Sequence, residues 1–549
     1  MTALLDHRVL PSADAPPSGP AYPARPEGGR LAARARRDLP TVAVLTGLLT
    51  VWEVAVRIVD VGNDALPAPT AIVAGLWRDR EIYPRAIRAT LSEAVAGFAV
   101  ASVAAMFIGA TCVLVPAAER LIMRVSLAIF CLPLIAIAPV LDLVLSDNGP
   151  RVALASLSAF FPIVIATVAG LQSVPRLELE LIHALGGGAV AEVRFVRRRA
   201  AARGLLAGMR IGVTAAVLGA LIGELIGAER GLGVLMLVSQ KGLMVDRTWG
   251  VAVVAAAIAG TLYGLVAAVE RLVGPTFPSD RAGAGRTAPR SRRRRALEAV
   301  GVVTASFAVL IGGWWLFVRA LGGSPILIKT PADVVRSVTT GPGATIRRET
   351  LLDATWVTAQ HALVGMAAGL TIALALALTF VVTPVVRRPL LAIAVVFQTV
   401  PAVAFLPLFV LLFGRQLWCV AVFGVVCVLF PSLVTMLAGL ENVSKPATDL
   451  MHALGGGRAA TMRFVRLPAA LPSLFAATRI AVPNAVTGAL VAEWLATGTG
   501  LGRVMTTAGA RLDYDSIWAA AVAVTALSAI GYSAVHSIER LTLTRFAGG

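Results

Sequence analysis

Ionisable residues inside long apolar runs are the first candidates for chemistry, because a charge in hydrocarbon is costly unless it faces protein, water or a partner. Glu224 and Glu493 stand in such runs, and each is followed seven residues later by Gly-Leu-Gly, at 231–233 and 500–502. A carboxylate there fits a solute pathway or its gate; the competing reading is that it accepts hydrogen bonds from the amides around those glycines. Glu93 and His361 lie within or at the edges of other runs, and Glu53 and Arg57, spaced i and i+4, share one helix face. As unpaired groups they are site candidates, with a partner on another span as the alternative. Arg210 and Arg479 precede the two glutamates by 14 positions, about 21 Å along a helix, where snorkelling or capping is expected of them. No nucleophile or metal constellation accompanies these groups. The four cysteines, Cys112, Cys131, Cys419 and Cys427, read as small packing residues.

The elements that must position these side chains follow from composition. The chain has 549 residues, of which 57% are hydrophobic and 15% charged, too little polar surface for a soluble fold of this size. Its apolar runs reach about 20 residues, enough to cross a hydrocarbon core of about 30 Å as helices. They lack the alternation of a transmembrane barrel, so the fold class is an all-α polytopic membrane protein. The net charge of +18 comes from arginines between runs and in tails, as the positive-inside rule requires. Aromatic interleaving is absent, which argues against nucleic acid.

The chain repeats itself. His-Ala-Leu-Gly-Gly-Gly at 183–188 recurs at 452–457, an offset of 269 that also relates Arg210 to Arg479, Glu224 to Glu493, Trp249 to Trp518 and Glu270 to Glu539. Upstream, Gly97 pairs with Gly365 and Pro139 with Pro407 at 268. The reading is therefore about 12 transmembrane helices in two parallel six-helix repeats. Spans are expected near 39–61, 91–115, 121–145, 152–171, 205–226 and 249–273, then 296–321, 355–382, 390–413, 417–440, 471–495 and 517–538. The domains are a disordered cytoplasmic tail (1–38), a first repeat (39–273), a basic linker (274–295), a second repeat (296–541) and a C-terminal tail (542–549). Prolines 133, 139, 401 and 407 are placed to kink the third span of each repeat. The arginine block 292–295 holds the linker, and with it both termini, in the cytoplasm.

The break between spans four and five reads as two short helices hinged on glycines, able to pass a push from a soluble partner into the flanking spans. At this loop the sequence resembles the membrane subunits of binding-protein-dependent ABC importers. Their Glu-Ala-Ala, three residues, Gly pattern, followed by Leu-Pro, is matched by Asp449, His452, Gly455, Gly456, Phe464, Leu467 and Pro468, with Pro472 beyond. The first copy keeps Glu180, His183, Gly186 and Gly187 but has Arg199 and Arg203 where the offset puts the second copy's prolines. The resemblance covers both halves and leans to the nitrate, sulfonate and taurine branch.

It implies two cytoplasmic ATPase subunits, one per loop, an extracytoplasmic solute-binding protein, and a multi-pass place in a prokaryotic plasma membrane. It implies no cofactor bound by this chain, because ATP would be hydrolysed by the partners. No Gly-x-x-x-x-Gly-Lys-Ser/Thr occurs to cradle a phosphate here. The expected function is the permease of an ABC importer, with no enzymatic site of its own. The first loop is expected to dock its ATPase differently or more weakly. The alternative is an ion-coupled secondary transporter in which Glu53, Glu93, Glu224 and Glu493 form a proton relay.

Overall fold

The structure, a computed structural model, describes residues 46–47, 49–58, 66–172, 174, 176–272, 292–322, 324–383, 387, 409–410 and 413–547. Every regular element among them is helical, as expected where backbone groups have only each other to bond.

The first repeat contains α1 (Pro69–Arg78), α2 (Tyr83–Leu114), α3 (Pro116–Phe130), α4 (Leu134–Val144) and α5 (Gly149–Gln172). It continues with α6 (Arg176–Ala184), α7 (Ala189–Glu192), α8 (Arg198–Gly227), α9 (Leu232–Lys241) and α10 (Val245–Leu272). The second contains α11 (Arg292–Leu321), α12 (Pro331–Thr339), α13 (Ala344–Val382), α14 (Leu417–Glu441), α15 (Lys445–Ala453) and α16 (Arg458–Thr461). It closes with α17 (Leu467–Ala492), α18 (Gly500–Ala510) and α19 (Tyr514–Ala547). Prolines open α1, α3 and α12, where their missing N–H leaves no bond unmade.

Among the described residues, eight helices are long and apolar enough to cross a bilayer. They fall at the second, fourth, fifth and sixth expected spans of each repeat. The first expected span, 39–61, is described only in part, and the third span of the second repeat, with Pro401 and Pro407, lies almost wholly outside the described residues. The helix at 296–321 starts earlier, at Arg292, and its apolar part is short, Thr304–Ala320. The tail 1–38 and linker residues 274–291 also lie outside.

The third span of the first repeat departs from expectation. In place of one helix over 121–145, α3 and α4 meet at 91° across a break at 131–133. Pro133, in extended conformation at φ −66° and ψ 117°, caps α4. Its ring disfavours helix in the residue before it and its nitrogen cannot donate, so the helix stops there. Pro139 is accommodated inside α4.

This bent element joins the repeats. Ile135, Ala136 and Val140 of α4, with Ile222 of α8, share one core with Phe409, Val486, Leu490 and Ile517 of the second repeat. A separate core fills the first repeat, around Ala101, Ile163, Val217, Leu232 and Val251.

Candidate functional site: two loops and two buried carboxylates

The loops between spans four and five share one backbone design. In the first, α6 ends at Ala184, Gly186 takes φ +79°, and α7 runs through a π-helical turn, Val193–Arg197, into α8. In the second, Gly455 takes φ +76° and a π turn, Met462–Arg466, leads into α17. Gly186 N–H donates to His183 O and Gly187 N–H to Ile182 O, both at 2.9 Å; Gly455 bonds His452 O at 3.0 Å and Gly456 bonds Met451 O at 2.9 Å. This pair of bonds, closed by a left-handed glycine, is the Schellman helix end. A Cβ on Gly187 or Gly456 would fall 2.6 Å from Ile182 or Met451. The Arg199 and Arg203 departure therefore leaves the backbone path unchanged, since the π turns and helix starts coincide without the prolines.

Glu180, His183, Asp449 and His452 are exposed on these loops, Leu467 is half-buried and Pro468 exposed. Beside them an identical apolar triad points outward on each loop: Leu181, Leu185 and Phe195 on the first, Leu450, Leu454 and Phe464 on the second, all at least 59% exposed. Exposed apolar groups so arranged mark a contact surface. A cavity of about 660 Å³ adjoins the second triad, lined by Asn442, Ser444, Met451, Phe464 and Ser473.

Arg197 and Arg466, legible in the sequence only as topogenic charges, tie each loop to the span before it. Arg197 Nη1 donates to Leu171 O at 3.2 Å and Arg466 Nη1 to Leu440 O at 3.3 Å. The first loop carries an extra bond set, because buried Glu192 holds His183 Nε2 at 2.7 Å and Arg197 at 2.8 Å. Thr461 stands in that place in the second loop and bonds Gly457 O. Glu192 carries no distinguishing mark in the chain, since a single acid in a basic loop has no periodic signal.

Glu224 lies in the last turn of α8 and Glu493 just past α17, in a π-helical turn (Glu493–Thr497), at the ends away from the loops, and both are sealed from solvent, at 1% and 0% exposure. Glu224 Oε2 accepts from Gly233 N at 2.6 Å and Oε1 from Thr90 Oγ1 at 2.6 Å; Thr90 Oγ1 accepts in turn from Leu232 N at 2.9 Å. Glu493 repeats this with Gly502 N at 3.1 Å and Thr358 Oγ1 at 2.9 Å, and Thr358 with Leu501 N at 2.9 Å. Each carboxylate thus caps the first turn of a short helix, α9 or α18, from another helix, where its unpaired amides attract negative charge. The glycines are required by the carboxylate. A Cβ on Gly231 would sit 2.2 Å from Glu224 Cδ, and one on Gly500 2.4 Å from Glu493 Cδ, and both residues have positive φ, +133° and +58°.

Glu93 and His361, expected to be unpaired or partnered on another span, join these same two sites. His361 Nδ1 is 2.8 Å from Glu493 Oε1, and Glu93, buried one turn on from the Thr90 that donates to Glu224, holds the equivalent position. In the sequence the two threonines are marked only by the upstream offset of 268, which relates Thr90 to Thr358 and Glu93 to His361. Glu53 is held by Arg57 and by Thr70, whose Oγ1 donates at 2.7 Å, so it stands apart from the other acids. Arg210 and Arg479 are ion-paired in place of snorkelling: each meets an acid of the sixth span at 3.1 Å, Glu270 or Glu539, and lies over a tyrosine ring, Tyr263 or Tyr532.

Comparison with known proteins agrees with this doubled design. The family model described as binding-protein-dependent transport system inner membrane component matches residues 87–277 and again 365–543. The formylaminopyrimidine transport permease protein of Halalkalibacterium halodurans is 28% identical over 242 residues, covering 44% of this chain and 94% of that protein. A probable ABC transporter permease protein of Haemophilus influenzae is 32% identical over 222 residues, 40% of this chain and 88% of its own. The taurine transport system permease protein of Escherichia coli is 28% identical over 247 residues, 43% of this chain and 86% of its own. No solved structure matches.

Proposed function

We propose that this chain, which belongs to the family of binding-protein-dependent transport system inner membrane components, supplies both membrane halves of one importer, with one ATPase docking on each loop. It is an ABC-type permease, all-helical and multi-pass. Each relative aligns over nearly its whole length with less than half of this chain, and the family model matches twice. The observation that carries the reading is the repeated loop: same Schellman turn, same π turn, same outward Leu-Leu-Phe triad. Such a surface suits an apolar groove on a soluble partner, and its rigid attachment to spans four and five through Arg197 and Arg466 suits transmission of that partner's movement.

In this reading the loops and both termini are cytoplasmic, ATP is bound by the partners alone, and a solute-binding protein delivers cargo at the opposite face, near α9 and α18. The relatives are named for different solutes, taurine and formylaminopyrimidine, so the cargo is assigned to the binding protein's selectivity. The first loop, with Glu192 engaging His183 and Arg197, is the stiffer dock.

The test is native mass spectrometry of the chain co-expressed with a cognate ABC ATPase subunit. Two ATPase copies per chain are expected, and one per chain would overturn the two-dock reading. Replacing Leu185 and Leu454 separately by Glu should each remove one copy. Replacing Gly186 and Gly455 separately by Trp should reduce transport unequally, with the larger loss at Gly455; equal losses would remove the asymmetry.

A further inference from the structure

The two buried carboxylate sites have the same frame and different charge balance. In the first repeat Glu93 of α2 lies one turn on from Thr90, which donates to Glu224 of α8, and holds the position from which His361 reaches Glu493 in the second repeat; Glu93 and Glu224 are both at most 3% exposed. Arg151 of α5, 8% exposed, packs on Gly223 of α8, beside Glu224; its guanidinium donates to the carbonyls of Asp147 and Gly227. The first two turns of α9, whose amides point at the site, carry no charge. Glu93 Oε2 is buried and receives no hydrogen from any donor among the described residues. In the second repeat His361 replaces Glu93, and the position of Arg151 falls, at the offset of 269, on buried Val420.

Two ionised carboxyls are acceptors only, so a hydrogen bond between Glu93 and Glu224 requires the acid proton itself. The charge count asks for the same proton. Two carboxylates against one guanidinium leave one uncompensated negative charge in an apolar surround, which is strongly unfavourable. The second site pairs its one carboxylate with an imidazole, which brings no second acid to the site.

We propose that the Glu93–Glu224 pair is a proton-binding site, in which the two carboxyls share one proton balanced by Arg151. No bond between heavy atoms forms or breaks; a carboxyl O–H bond forms as the proton is taken from solvent and breaks as it returns there. The shared proton fastens span two to the cap of α9, so the outer end of the first repeat is held by a carboxyl pair and that of the second by an imidazole. The inference needs neither ATPase nor binding protein, and its failure would leave the permease reading intact.

The experiment is infrared spectroscopy of the purified full-length chain in lipid bilayers, titrated in heavy water. At neutral pH the wild type should show the carbonyl stretch of one protonated carboxyl. Glu93→Gln should abolish it, and Arg151→Gln should carry it to higher pH by removing the opposing cation. The transplant Glu93→His with Arg151→Val copies the second site and should fold with no such band. The reverse transplant, His361→Glu with Val420→Arg, should double the band. Absence of a protonated-carboxyl band in the wild type overturns the proposal whatever the variants do, as does a band that survives the first transplant.

Discussion

The two repeats keep their contacts and exchange their chemistry. Asp79 binds Arg247 at 2.6 Å in the first repeat; at the matching positions Arg347 binds Ser516 at 3.1 Å. Glu119 accepts from Gln172 in the first repeat, and in the second Arg387 donates to Glu441 at 2.7 Å. Glu93 takes, beside Glu224, the position that His361 takes 2.8 Å from Glu493. In every case the repeat offset, 268 upstream and 269 downstream, links both partners. Backbone packing fixes which positions meet, and any pair that supplies one hydrogen and one acceptor satisfies the meeting. What does not vary is the glutamate-threonine cap on α9 and α18, whose partners are backbone amides and so cannot be exchanged by mutation.

The largest expected effect tests that invariance. Gly231→Ala and Gly500→Ala each push a Cβ into the capping carboxylate at a positive φ, and each should cost roughly 2 kcal/mol or more. Thermal unfolding of the detergent-solubilised chain reads this, and tolerance of alanine at either position would break the equivalence of the two caps. Next, Thr90→Val and Thr358→Val leave the Leu232 or Leu501 amide buried without an acceptor, for about 1–3 kcal/mol each. Matched losses sharpen the comparison, and a loss in one repeat alone would show that only one cap is structural.

A smaller difference is expected at the loops. Arg197→Ala leaves buried Glu192 with His183 as its remaining partner and strands Leu171 O, whereas Arg466→Ala removes only the bond to Leu440 O. The first should therefore cost about 1 kcal/mol more; hydrogen exchange confined to each loop measures it, and equal exchange would make Glu192 irrelevant. The smallest effect is acid loosening of the first repeat. The hydrogen bonds and charge of Arg247 hold the Asp79 carboxyl below its ordinary range. That contribution is present above the ordinary carboxylate range and fades as pH falls through the depressed folded value. Wild type should lose stability at acid pH more steeply than Asp79→Asn, with identical acid slopes as the contrary result.

Much of the molecule was legible in the chain. Apolar run length gave the eight spanning helices, because crossing hydrocarbon as a helix demands about 20 apolar residues whatever surrounds them. Self-comparison gave the doubling and the two loops, and Gly186 and Gly455 marked the Schellman turns through a conformation that glycine alone takes easily. Prolines signalled a disturbance in the third span but not its extent; the 91° corner depends on the second repeat accepting α4 into its core.

The site partners were decided only in three dimensions. Glu93 and Glu224 are 131 positions apart, as the numbering shows, and lie on different helices. Hydropathy and backbone hydrogen bonding are local and periodic, so the sequence determined the helices of the second, fourth, fifth and sixth spans of each repeat and the hinge of each loop. Which buried acid meets which threonine, imidazole or guanidinium depends on how neighbouring helices are rotated against each other, and that rotation is set by packing across the whole repeat.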